Sequence, residues 1–253
     1  MRILILVGWL LLAGTAWSQP HPAVGANKFD LFSQYVGTAS GCRQTAPCRR
    51  VTRALAQKAI EDAADAGIPF LRVGMTGAVL DDSDERNTLD LWSRSPADFW
   101  AIADDMMNDL DRRGVKIVPV LMWSSKRFPV MADETTTDLI ANPSSRSWQL
   151  LARFTTEFVT RYRGRDTILF YELTNELNNA ADLNREAICQ RKQGDCEAVG
   201  NFSTGQLIEF TTRFAGLVRR LDPRRMVSSG FSVPRETAES LRARPQWVGG
   251  GPA

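Results

Sequence analysis

An apolar run that ends in amide and carboxyl groups stands at Ile168-Leu169-Phe170-Tyr171-Glu172-Leu173-Thr174-Asn175-Glu176-Leu177-Asn178. Its near-continuous apolar half suits a strand buried on both faces, as in a parallel sheet covered by helices. Similar runs occur at Phe70-Leu71-Arg72-Val73-Gly74, Ile117-Val118-Pro119-Val120-Leu121-Met122 and Met226-Val227-Ser228-Ser229. Between them the period changes to that of a helix. Phe99, Ile102, Ala103, Met106, Met107 and Leu110 share one face, with Asp104, Asp105, Asp109 and Arg112 on the other. Trp148, Leu151, Phe154, Phe158 and Tyr162 repeat the pattern, as do Leu207, Phe210, Phe214, Leu217 and Leu221. These stripes are packing faces. Gly67, Gly114 and Gly164 each follow a helix and precede a strand, where a left-handed cap is expected.

This alternation predicts an α/β fold with a parallel sheet. Strand starts near positions 70, 116, 168 and 226 lie roughly fifty residues apart, long for plain βα units, so the loops after the strands must be elaborate. An earlier strand is expected between Phe29 and Thr38, and a short helix from about Pro234 to Arg244. That gives about five βα units before the sequence closes on Gly249-Gly250-Gly251-Pro252-Ala253.

Composition narrows the chemistry. The 253 residues are 43% hydrophobic and 24% charged, ordinary for one large globular domain. Lys and Arg number 31 against 29 Asp and Glu, and they are scattered rather than striped, so no field is set up to hold nucleic acid. His21 is the only histidine. A Ser-His-Asp triad, a Cys-His pair or a His-rich metal site would have to be built around it, so the reaction must depend on carboxylates, Tyr, Lys, Ser or a cofactor.

Arg2, the apolar run from Ile3 to Leu12, and Ala13-Gly14-Thr15-Ala16-Trp17-Ser18 read as a secretory signal over residues 1–18, which leaves 19–253 as the mature domain. The apolar core is shorter than the ~20 residues that span a bilayer, so stable membrane insertion is not expected and the location is secreted or periplasmic. In such an oxidising compartment the close pairs Cys42 with Cys48 and Cys189 with Cys196 are expected to form two local disulfides. Metal ligation is the rival reading, but neither pair has zinc-knuckle spacing and no His is near, so no metal is expected.

Side chains alternate along a strand, so Glu172, Thr174 and Glu176 are predicted to point one way, with Glu176 at the C-terminal end where a barrel opens its site. A carboxyl placed there could reach a ligand.

On these residues the chain resembles the cellulase-like glycoside hydrolases of family 5, retaining glycosidases with a (β/α)8 TIM-barrel fold, over roughly Val51 to Ser232. Leu221-Asp222-Pro223-Arg224-Arg225-Met226-Val227 also looks like the passage from helix four to strand five of such enzymes. The resemblance implies Glu176 as acid/base, Asn175 as its partner on the sugar 2-hydroxyl, and Arg72 as support for the nucleophile. It further implies sugar contacts at Trp123, Trp92 and Asn178, a β-linked glucan or mannan as substrate, no cofactor, and a monomer. The chemistry explains the residue types. A glycosidic oxygen leaves poorly until a carboxylic acid protonates it, and a second carboxylate ~5–5.5 Å away forms the glycosyl-enzyme intermediate.

Other readings attach to the same residues. Arg72 could form a buried ion pair with Glu172, and Trp123 could cap the barrel. A non-catalytic secreted carbohydrate-binding protein would keep Trp123, Asn175 and Glu176 without cleaving. A nucleotide-binding doubly wound domain needs a Gly-rich turn opening a helix after a strand, and Gly74-Met75-Thr76-Gly77 lacks that pattern. The sequence also departs from family 5: Leu177 replaces the usual Pro, no His follows the third strand, and no strand bears the nucleophilic Glu. Eight units at this spacing need on the order of 400 residues, so a C-terminally incomplete barrel is expected.

Overall fold

The computed structural model describes residues 24–37, 46–77, 88–182 and 202–232, with the side chains of residues 46–49 excepted. Five strands form one sheet: β1 (Ala26–Asn27), β2 (Phe70–Gly74), β3 (Lys116–Met122), β4 (Tyr171–Thr174) and β5 (Val227–Ser228). They lie in chain order, each parallel to the next. Sequential parallel strands with helical crossovers are the wall of a (β/α) barrel, and five of its strands are present among the described residues.

The helices are α1 (Leu31–Val36), α2 (Ala46–Asp65), α3 (Thr88–Arg94), α4 (Pro96–Arg113), α5 (Arg127–Ala132), α6 (Thr136–Ala141), α7 (Arg146–Tyr162) and α8 (Thr204–Leu221). The three stripes read from the sequence fall on α4, α7 and α8 and turn toward the sheet, except that on α8 Val218 is buried where Leu217 was expected. Leu71, Val73, Ile117, Leu121, Tyr171 and Leu173 meet Phe99, Met106, Leu110, Leu151, Phe154, Phe158 and Phe214 in one core, all at most 2% exposed. Residues of opposite parity, Arg72, Val118, Val120 and Glu172, share the other face of the sheet, toward the barrel interior.

Three expectations need correction. The first strand is Ala26–Asn27, and Leu31–Val36 is helical. Leu31, Phe32, Tyr35 and Val36 recur at one-turn spacing and are all buried, whereas a strand would have put alternate members of this set in water. Tyr35 completes the packing: its hydroxyl donates to Asp109 Oδ2 at 2.5 Å, and burial pushes the phenol up to about 12. Asp109 is therefore buried rather than on an outer polar face, and it also accepts from Gln57 at 2.9 Å and pairs with Arg112. Second, β4 starts at Tyr171, and Ile168 makes only a single bridge to Ile117. Third, Gly67 and Gly114 take the left-handed conformation (φ 68° and 66°), but Gly164 does not. There α7 runs on into Arg163, whose N–H bonds the Val159 carbonyl. The helix expected at Pro234–Arg244, residues 1–18, and Cys42, Cys189 and Cys196 lie outside the described residues, as does the side chain of Cys48. No helix among the described residues is long and apolar enough to cross a membrane.

Polar locks hold the segments that the strands leave. Asp222, between α8 and β5, is 1% exposed; it accepts from Arg225 at 2.7 Å and from the Tyr171 hydroxyl at 3.2 Å. Burial disfavours its charge, but these donors outweigh it and keep the carboxyl below its usual range. At the start of α7, Glu134 accepts from the Arg146 N–H (3.0 Å), the Ser147 N–H (2.8 Å) and the Ser147 hydroxyl (2.6 Å). Burial would raise its pKa, but the bonds at a helix N-terminus prevail and hold it at about 2. A depressed pKa stabilises the fold fully above the unfolded value, ~4.3, and the contribution is lost as pH falls through the folded one. Glu134→Gln should therefore lower stability by about 1–3 kcal/mol at pH 7. In urea melts at several pH values, the variant should show less of the wild-type loss between pH 4.5 and 2.

Candidate active site

Arg72 is the centre of the C-terminal end of the sheet. It stands opposite Asn27 on β1 and Val118 on β3, and Val120 carries the register on to Glu172 of β4. Its guanidinium therefore reaches across β3 to β4. Nε donates to Glu172 Oε1 at 2.9 Å, Nη2 pairs with the same oxygen and donates to Asn175 Oδ1 at 2.9 Å, and Nη1 reaches Asn27 Oδ1 at 3.4 Å. Glu172 is 8% exposed, so this is the buried ion pair that the sequence allows. Taking two charges out of water is costly, and the several directed donors here are what such a pair needs.

Trp123, just past β3, lies beneath the same guanidinium, 4.8 Å from ring centroid to Cζ. Phe29 stacks on Trp123 with centroids 5.3 Å apart and 24° between the planes. Gly74 makes this approach possible, because a Cβ there would stand 3.0 Å from Trp123 Cε3. The Trp123 N–H is held by the Thr76 hydroxyl at 3.0 Å.

The alternation argument fails at Glu176. Glu172 and Thr174 are buried, but Glu176 is exposed, because the chain leaves the strand there with Glu176 left-handed at φ 52° and ψ 26°. It opens a 3-10 turn, Leu177–Ala180. The turn is braced by the segment after β5. Glu176 N–H donates to the Gly230 carbonyl at 2.9 Å, and the Ser229 carbonyl accepts from Thr174 N–H (3.2 Å) and its hydroxyl (2.7 Å).

Asn178, expected to contact sugar, instead clamps Ser232: its amide donates to the Ser232 carbonyl at 3.0 Å and accepts the Ser232 N–H at 2.9 Å. An amide with both ends committed to backbone holds the turn rather than a ligand. Trp92 is corrected more strongly. It is 1% exposed within the helix layer, with its edge toward Phe154 at 5.5 Å, and its indole N–H donates to Glu157 at 2.7 Å. It cannot serve as a platform for sugar.

Arg72, Asn175 and Trp123 are thus brought together, with Glu176 next in the chain to Asn175; Asn178 supports the turn, and Trp92 is elsewhere. The sequence reading missed Gly230, Ser232 and Phe29. The Gly between two serines and Phe231 was the one available signal for the first of these, since a lone Gly after a strand marks close backbone approach.

No protein-family model matches the sequence, and no curated protein matches it. Among solved structures the fold is similar to the glycoside hydrolase family 5 mannosidase from Rhizomucor miehei, with a TM-score of 0.57 and 13% identity over 87% of this chain and 53% of that one. The endo-1,4-beta-mannanase from the same organism gives 0.53, with 13% identity over 84% and 57%. The endo-beta-1,4-mannanase from Thermotoga petrophila gives 0.52, with 15% identity over 83% and 42%. The chain spans about half the length of these structures. At such identities the likeness is one of fold, and it agrees with the partial (β/α) barrel seen in the sheet and with the family 5 resemblance of the sequence.

Proposed function

We propose that the chain carries the acid/base half of a retaining glycoside hydrolase site for a β-linked polysaccharide, mannan before glucan. The observation that carries this reading is the single guanidinium, Arg72, that holds Asn175 and Glu172 together beside Glu176 at the C-terminal ends of parallel strands. Ligand sites of barrels lie at that end. The preference for mannan rests on the mannosidases and mannanases among the similar folds.

Each residue then has a defined part. Arg72 takes the Asn175 carbonyl oxygen, which turns the amide NH2 away from the guanidinium as a donor for a sugar 2-hydroxyl. That bond gains strength as positive charge develops on the sugar ring. Glu176 supplies the proton to the glycosidic oxygen. Glu176 is exposed at the rim, where a bound sugar would cover it. The nucleophile is assigned outside this set. Glu172 is the carboxylate of β4, but it is buried and committed to Arg72, which leaves it unavailable as a nucleophile. We assign that role to no described residue of this chain. The signal-like residues 1–18 support an extracytoplasmic location.

The test is calorimetric titration of the purified protein with mannohexaose and cellohexaose, alongside an assay of released reducing ends. Binding of mannohexaose is expected, weakened about tenfold or more by Asn175→Ala, with weak or no hydrolysis. Absence of binding to either sugar defeats the reading; brisk retaining hydrolysis defeats the assignment of the nucleophile.

A further inference from the structure

We infer that Phe29 is an outer sugar platform of this site, serving a ring of the polysaccharide other than the one at Glu176. The inference rests on the carbohydrate-site reading above and extends it to a residue that reading does not use.

Phe29 is 40% exposed, while Leu31 and Phe32 beside it are fully buried. An isolated exposed Phe means little, but this one is fixed in place. Its carbonyl accepts the Gly74 N–H at 3.0 Å, and the preceding Lys28 N–H donates to the Arg72 carbonyl at 3.1 Å. The residue after it, Asp30, is held by Lys28 at 2.6 Å and by Gln34 at 2.9 Å. The backbone on both sides of the ring is therefore tied to β2 and α1, and the ring lies on Trp123, which lies against Arg72, which holds Asn175. The stack is continuous from the end of β1 to the end of β4.

The chemistry of the stack selects the ligand. The C–H face of a pyranose is apolar and its rim is hydroxylated, so it packs on a flat aromatic ring while polar groups nearby take its hydroxyls. Trp123 is engaged by Phe29, Arg72 and the bare Gly74 backbone, so Phe29 presents the outer ring. From β1 to β4 is three strand spacings, ~14 Å along the sheet and less straight across its curve. A ring on Phe29 is then not the ring at Glu176, and the interaction is available only to an oligosaccharide long enough to reach both.

The experiment titrates mannohexaose into wild type, Phe29→Leu, Phe29→Trp and Asn175→Ala. Leucine keeps apolar bulk against Trp123 without a flat face, so folding is preserved while the platform is lost; tryptophan restores the face. Phe29→Leu should weaken binding about tenfold, and Phe29→Trp should stay within about twofold of wild type. If Phe29→Leu binds like wild type while Asn175→Ala does not, the platform is refuted and the site stands. If wild type binds no sugar, the site reading fails and the platform with it. Equal weakening by Leu and Trp would also refute the platform, since a flat face would then be irrelevant.

Discussion

Gly230→Ala is expected to destabilise the protein by about 3–5 kcal/mol, measured as the change in unfolding free energy in urea. Gly230 has φ 72°, which costs an alanine ~1–2 kcal/mol wherever it occurs. The larger part is collision. A Cβ at Gly230 would stand 1.8 Å from the Thr174 carbonyl oxygen and 2.8 Å from both Cγ and Oε1 of Glu172. A backbone oxygen cannot rotate away as a side chain can, so the segment after β5 must retreat. That breaks the bond from Glu176 N–H to the Gly230 carbonyl and pulls on the Asn178–Ser232 clamp. Gly67→Ala is the control, because Gly67 has nearly the same φ, 68°, with nothing within 4 Å of a built Cβ. It should lose only ~1–2 kcal/mol, the cost of the dihedral. Similar losses for the two variants would mean that close approach at the β4–β5 end contributes nothing.

These features also mark where sequence reading succeeds and stops. The β2 and β3 strands, and the stripes on α4, α7 and α8, were legible because each is a long local pattern: near-continuous apolar residues in strands covered on both faces, and one packing face on each helix. The first strand was not. Two residues, Ala26–Asn27, carry no period, and the aromatic-rich segment after them fits a strand or a one-and-a-half-turn helix equally well until its burial is known. Trp92 shows the opposite failure. An aromatic in a segment without a clear period reads equally well as a sugar platform or a core residue, and only the helix α3 and its neighbour Phe154 decide between them.

Glu176 failed for a backbone reason. Alternation assumes extended φ and ψ, and a single left-handed residue ends it. Glu176, read as pointing the same way as Glu172, is thereby exposed at the rim, and the residues that brace its turn, Gly230 at Glu176 and Ser232 at Asn178, lie more than fifty residues away in the chain. No local pattern encodes that contact. Arg72 and Asn175 were singled out by the family 5 resemblance, and the ion pair with Glu172, read as the alternative for Arg72, is present.

Arg72→Met should cost about 3–5 kcal/mol, because it strands the Glu172 carboxylate at 8% exposure with its guanidinium gone. Glu172→Leu alone should cost a similar amount by leaving Arg72 without its acceptor. The double variant is expected to recover most of that loss, to within about 1–2 kcal/mol of wild type, since two apolar residues of similar volume escape the desolvation that the pair must offset. Sugar binding separates the two roles of the pair. If Arg72 serves only to neutralise Glu172, the recovered double variant should bind mannohexaose like wild type. The geometry argues otherwise, because Nη2 also fixes the Asn175 amide and the guanidinium lies over the Trp123 ring. The stable double variant should therefore bind at least about tenfold more weakly. Restored stability together with restored binding would reduce the pair to a structural bond and remove Arg72 from the site.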